Sequence, residues 1–303
     1  LFPYTTLSDL VGYWLAWTWD AVYESARTEG EKQGIYVERF GDNLAVKYDT
    51  CQLVKMAVQA SVDGIIVNGD DSDEMTACIN EAVNQGIPVA TVLNDCSGSK
   101  RQCFAGANNY NIGQEYGRQI QQALKGNDKK RMKKVLVLIE NNSGDTSGNL
   151  ILLGIRETLE REIKITHEVA VDAVQVDNSD SFGAEEYIRD VFLDEDQTPD
   201  ILVCLSGVYT QCAYQAAVDY NKVGVVQIFG YFDSPQILDA LAKNILTVTI
   251  TPDTAEMGRL SVRALDEYRQ TGYTNGYTAV DVQLITAAEA EERLARIGQE
   301  QGL

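Results

Sequence analysis

Apolar positions along this chain switch repeatedly between two periods, most clearly over residues 62–95. Residues 63–68, DGIIVN, make a short β-branched run with no polar alternation, which predicts a parallel strand covered on both faces. Met75, Cys78, Ile79, Ala82 and Val83 then recur at helical spacing. Asp70, Asp71, Asp73 and Glu74 surround the first turn of that helix, where acidic groups suit its dipole. Gly86 ends it, and Ile87 and Pro88 lead into a second buried run at residues 89–93 that breaks at Asn94 and Asp95. Strand, helix, strand with both strands pointing the same way is an α/β crossover unit, and in open sheets of this kind ligands bind beyond the carboxyl ends of the strands.

The alternation continues in both directions. Strands are predicted at residues 2–7, 35–40, 135–139, 165–171, 201–205, 223–231, 246–250 and 280–285. Helices are predicted through Val22, Tyr23, Ala26 and Gly30, through Leu53, Met56, Ala57 and Ala60, and through Ile112, Tyr116, Ile120 and Leu124. Others follow at residues 152–159, 187–192, 214–220, 237–242, 256–268 and 287–297. No repeat or low-complexity linker interrupts them, so two lobes of one architecture are expected.

Length and charge narrow the function. With 303 residues, 45% hydrophobic and 23% charged, the chain is ordinary for a globular protein and long enough for two domains. No apolar run is long enough to span a bilayer. A formal net charge of -20 opposes polyanionic partners, so no nucleic-acid partner is expected. The chain starts at Leu1, as a mature or trimmed product would, and a secretion signal or anchor is expected to lie outside it. The single histidine, His167, falls in a predicted strand. There is no G-x-S-x-G elbow, H-E-x-x-H pair, P-loop or G-x-G-x-x-G fingerprint, so neither an enzyme nor a cofactor or metal site is expected.

Five segments, DGIIVNGDDSDE, GIPVATV, NNYNIGQEYGRQI, FGYFDSPQILDAL and TVTITPDTAEMGRLSVRAL, resemble in order and spacing the type I periplasmic (solute) binding proteins, the ribose-binding-protein-like sugar receptors. The resemblance covers residues 30–285. It implies two Rossmann-like lobes, each a parallel sheet flanked by helices, joined by three crossings near Ala107, Thr251 and Ala279. Residues 1–107 with 252–279 would form one lobe, and residues 108–251 with 280–303 the other.

The resemblance also implies ligand positions. The family's aromatic pair before the first helix points to Trp19, with Trp14 and Trp17 nearby. These rings either stack on the apolar face of a sugar or pack between lobe and helix. The family's acidic position at the end of the GIPVATV strand holds Leu93 here; Asn94 and Asp95 either replace it or form a turn. An arginine position holds Asn149, which could equally cap a helix. An asparagine position holds Ser206, and a glutamine position holds Pro252, which offers no side-chain polar group. Asp233 matches the family's characteristic acidic position. Asp95 and Asp233 would face each other across the cleft, where such acids accept hydrogen bonds from hydroxyls rather than cleave glycosides.

Cys96 and Cys103 bracket a polar loop, SGSKRQ, and are the disulfide candidate. Cys51 with Cys78 and Cys204 with Cys212 are further possible pairs; Cys78 and Cys204 could equally be small core hydrophobes. The family implies an exported protein, periplasmic or anchored at the cell surface, acting as a monomer that binds a saccharide or related polyol. It would deliver the ligand to a membrane permease of the ABC type, or report it to a membrane sensor such as a histidine kinase.

Overall fold

The structure, a computed structural model, describes residues 7–41, 48–124, 132–140, 146–162, 169–176, 181–194 and 196–300. It opens with α1 (Leu7–Gln33) and α2 (Thr50–Gln59). The crossover unit follows as β1 (Ile65–Asn68), α3 (Asp73–Asn84) and β2 (Val89–Val92), then β3 (Cys103–Gly106). Next come α4 (Asn109–Leu124), β4 (Lys133–Glu140), α5 (Ser147–Glu162), β5 (Val169–Val176) and α6 (Ser181–Leu193). They are followed by β6 (Ile201–Cys204), α7 (Gly207–Asp219), β7 (Gln227–Tyr231), α8 (Pro235–Ala242) and β8 (Val248–Pro252). The chain closes with α9 (Thr254–Thr271), β9 (Tyr277–Ala279), β10 (Val282–Ile285) and α10 (Ala287–Glu300).

Two sheets result. The first has the order β1-β2-β3-β9, all parallel; the second has the order β10-β8-β7-β6-β4-β5, with β10 antiparallel to β8 at its edge. Helices flank the sheets, which is why the inner strand runs are apolar: β2, β3 and β6 are buried at every position, whereas the edge strand β5 carries Asp172 and Gln175. One apolar cluster joins the sheets, running from Val92 and Ala105 through Ile112 and Val280 to Phe229 and Ile250.

The chain passes between the sheets three times, after Gly106, after Pro252 and after Ala279. Each passage is one or two residues long. The third joins β9 directly to β10, and at ~3.5 Å per residue it holds the carboxyl end of β9 within about 10 Å of the start of β10, which pairs with the carboxyl end of β8. The passages are also bonded together: the Val280 N–H donates to the Gly106 carbonyl at 3.1 Å, and the Asp253 N–H donates to the Asp281 carbonyl at 2.9 Å.

Several sequence expectations need correction. Leu7 is helical, not the end of a strand; residues 2–6 lie outside the described residues. Residues 35–40 are extended but join neither sheet. They lie along α1, where the Ile35 N–H meets the Gly30 carbonyl at 2.8 Å and Arg39 pairs with Asp20 at 2.5 Å, its guanidinium over the Tyr23 ring. The run at residues 223–231 is a strand only from Gln227, because Gly224, at φ 76°, turns the chain before it. The strand expected at residues 165–171 lies at Val169–Val176; residues 163–168, His167 among them, lie outside the described residues.

The disulfide between Cys96 and Cys103 is absent. Cys96 packs with Cys51, Val67, Met75 and Cys78 beneath α2 and α3, whereas Cys103 packs with Ala90 and Ala264 on the α9 side, so the sheet lies between them. All six cysteines are free and buried, including the other two candidate pairs; the Cys78 thiol donates to the Cys51 carbonyl at 3.3 Å. Burial pushes the Cys51 and Cys212 thiols up to about 12.

Candidate functional site

At the carboxyl ends of both sheets the backbone enters the left-handed region at a non-glycine residue. Leu93 follows β2 with φ 62°, and Phe232 follows β7 with φ 70°. A conformation this costly for a side-chain-bearing residue persists only where its surroundings enforce it, and such residues cluster at functional sites. Both are followed at once by polar groups, Asn94 and Asp95 in one case and Asp233 and Ser234 in the other.

In the first sheet the ends of β1 and β2 are stitched together. The Gly69 N–H donates to the Asn94 carbonyl at 3.0 Å, and the Asn94 N–H donates to the Asn68 side chain at 3.2 Å. Gly69 is required there, because a Cβ would lie 2.8 Å from the Asn94 oxygen. These bonds use the Asn94 backbone and leave its side chain half-buried at the strand end.

Asp95 is turned back along the sheet. Its Oδ1 accepts from the Thr91 hydroxyl at 2.9 Å and the Cys96 N–H at 2.7 Å. Arg101 forks onto both carboxylate oxygens, with Nη2 2.5 Å from Oδ2 and Nε on Oδ1. The same guanidinium donates to the Gly276 carbonyl at 2.7 Å and lies over the Phe104 ring, which stacks on Tyr277 at 5.6 Å. The Tyr277 hydroxyl reaches the Gly106 carbonyl at the first passage, 3.3 Å away. Asp95 therefore anchors its loop to the hinge strands.

Trp19 is half-buried on α1 and packs against the cluster that contains Val22, Val92, Ala107 and Met257. Trp14 and Trp17 belong to the same helix, and their side chains lie outside the described residues.

In the second sheet, Asp233 lies between β7 and α8. Its Oδ2 accepts from Arg293 Nη1 at 2.5 Å, and the Thr251 hydroxyl donates to Oδ1 at 3.4 Å. Burial raises the carboxyl above its ordinary value, and the nearby guanidinium offsets part of that rise. Ser206 is buried and caps α7, accepting from the Tyr209 N–H at 3.2 Å. Asn149 is exposed in the first turn of α5, at a distance in sequence from every residue just described. Among the described residues no cluster of metal-ligating side chains occurs, and no helix is long and apolar enough to cross a membrane.

Arg101 and Arg293, each the partner of a candidate acid, were not singled out in the sequence. Arg101 follows Asp95 by six residues in a loop of no fixed period, and Arg293 sits in a terminal helix sixty residues from Asp233. Nothing local in either segment marks the pairing.

A family model described as a periplasmic binding protein domain matches residues 13–273. No curated protein matches the chain at a significant level. Among solved structures, the chain is similar to GanP, a glucose-galactose binding protein from Geobacillus stearothermophilus, at 20% identity and TM-score 0.77, over 90% of this chain and 93% of that one. It is similar to a sugar-binding protein of a sugar ABC transporter from Bacillus halodurans at 21% identity and TM-score 0.78, over 91% and 95%. It is also similar to a chain of a XylFII-LytSN complex at 22% identity and TM-score 0.73, over 90% and 94%. At these identities the likenesses show a common fold.

Proposed function

Because this chain belongs to the periplasmic binding protein domain family, we propose that it is an extracytoplasmic solute-binding protein that closes two lobes around a small polar ligand. The ligand in this reading is a saccharide, delivered to an ABC-type permease. The observation that carries it is the hinge: three short, mutually bonded passages join the two sheets at the carboxyl ends of their parallel strands, where an open α/β sheet takes its ligand. The sugar-binding proteins named above share this architecture, which supports the ligand class.

In this reading the lobes are residues 1–107 with 252–279 and residues 108–251 with 280–303. Trp19 offers an aromatic face to the apolar side of the sugar, while Asn94 and Asp233 bond its hydroxyls. Asp95 holds the first-lobe loop through Arg101, Ser206 shapes the second-lobe edge through the α7 cap, and Asn149 sits at the periphery.

The ligand favours the closed form only by its differential affinity for it. A micromolar affinity, about 8 kcal/mol, requires most hydroxyls to be paired once water is excluded, because each one left unpaired costs about 1–3 kcal/mol. Calorimetric titration with glucose, galactose, arabinose and xylose, paired with small-angle scattering, tests this. Binding with a more compact envelope is expected. A saturated protein with an unchanged envelope would remove closure, and no binding by any saccharide or polyol would remove the ligand class.

A second reading, reception without transport, draws on the likeness to XylFII, which occurs in a complex with another protein, LytSN. In it the closed form is recognised by a membrane-bound signalling protein. Co-purification with a permease, or with a signalling protein, separates the two.

A further inference from the structure

The terminal helix makes one contact that the proposed ligand chemistry does not by itself account for. Arg293 reaches from α10 to the carboxyl end of β7 and meets Asp233, and both side chains are largely enclosed, 23% and 26% exposed. Its approach is set by the fold. β10 runs back from the third passage, antiparallel to β8, and α10 then returns along α8 with Ala290, Leu294 and Ile297 packed into the second-lobe core. The second arm of the guanidinium, Nη2, bonds Gln283 Oε1, and Gln283 stands opposite Thr251 in the β10–β8 ladder. The Thr251 hydroxyl donates to the other oxygen of the same carboxylate. Asp233 is thus held from two strands and a helix, all outside its own loop.

We propose that Arg293 is a positioning residue for ligand binding, holding the Asp233 carboxylate as a charged, oriented acceptor at the carboxyl end of β7. The inference rests on the solute-binding reading above. A carboxylate has about four acceptor positions; Arg293, Thr251 and the residue's own backbone take three, which leaves one for a ligand hydroxyl. Without Arg293 the enclosed carboxylate would face, among the described residues, the Thr251 hydroxyl and its own backbone. A buried acid deprived of its cation takes up a proton, and a protonated acid gives up acceptor capacity and becomes a donor. Gln283 and Thr251 carry no charge that could replace the guanidinium.

The test compares the wild-type protein, Arg293→Met, Arg293→Lys, Asp233→Asn and the double variant Asp233→Asn/Arg293→Met. Glucose, galactose and arabinose serve as probes between pH 5 and 8. For a sugar the wild-type protein binds, Arg293→Met should weaken affinity tenfold or more at pH 6 and recover part of it by pH 8. Arg293→Lys should restore most of the loss. Asp233→Asn should be weak and flat with pH, and the double variant should match it. If Arg293→Met fails to fold, the double variant, which carries no unpaired charge, still reports whether the two residues act as a unit. Carbon NMR of the Asp233 carboxyl needs no ligand, and its titration midpoint should rise in Arg293→Met. An unmoved midpoint, wild-type affinity in Arg293→Met, or losses that simply add in the double variant would overturn the proposal. If no probe binds the wild-type protein while the midpoint still rises, it is the ligand class that fails, and the pairing stands.

Discussion

Helical glycines in α9 and α10 should respond to alanine with opposite signs. Gly258, in α9, lies where that helix crosses α1: a Cβ there would sit 2.0 Å from the Val22 carbonyl oxygen and 2.2 Å from the Ser25 hydroxyl. The helices would have to part by roughly 1.4 Å, the difference between 2.0 Å and the 3.4 Å at which ordinary contact begins. The obstacle is backbone, which cannot swing aside as a side chain can. Overpacking of this kind costs about 1–3 kcal/mol, against about 1 kcal/mol gained by placing alanine rather than glycine in a helix. Gly258→Ala should therefore destabilise by up to about 2 kcal/mol. Gly298, in α10, has nothing within 4 Å of a Cβ. Gly298→Ala should keep only the helical gain, a few tenths to about 1 kcal/mol so near the helix end. Urea unfolding followed by circular dichroism reads both as midpoint shifts at constant slope. Because Trp19 precedes Val22 by one helical turn, Gly258→Ala should also shift tryptophan emission and weaken ligand binding. A Gly258→Ala midpoint at or above wild type would refute the close α1–α9 crossing.

Trp19→Ala should weaken saccharide binding tenfold or more, about 1.4 kcal/mol, and, because the ring is only half-buried against the core, should cost the apoprotein less than a buried tryptophan does; a loss of about 3–5 kcal/mol before any ligand is added would instead mark a core residue. Glu29 is buried against α9, and its hydrogen bond to Arg263 lowers its pKa from 4.5 to about 2. A carboxyl depressed in the folded state contributes stability that is complete above its unfolded pKa and is lost as pH falls through the folded one. Arg263→Met should therefore move the acid-unfolding midpoint to higher pH, and an unchanged midpoint would contradict the pairing. Thiol titration of the native protein should find its six buried cysteines slow to react and all six reactive in denaturant, whereas an intact mass two hydrogens short would restore a disulfide.

Most of the fold was legible because burial on two sheet faces imposes a pattern that short windows carry. The apolar run ending at Asn68, the helix stripe from Met75 to Ala82 and the run at Val89 all appear in place. β3 and β9 escaped notice, since CFAG and YTA hold few β-branched residues and β9 is only three residues long. They are strands because neighbouring strands offer them hydrogen bonds, a non-local condition. Residues 35–40 fail for the converse reason: their strand-like alternation is answered by α1 rather than by a sheet. The resemblance pointed to Asp233 and left Asp95 as either a replacement for the acid missing at Leu93 or part of a turn, and it pointed to the partner of neither. Arg101 and Arg293 meet these acids only after a loop folds back and a terminal helix returns along α8, so the orientation of both carboxylates is decided by tertiary structure. Cys96 and Cys103 show the same division. Their spacing permits a bridge, but the loop after β2 tucks Cys96 beneath α2 and α3 while β3 turns Cys103 toward α9, which puts the sheet between the two sulfurs.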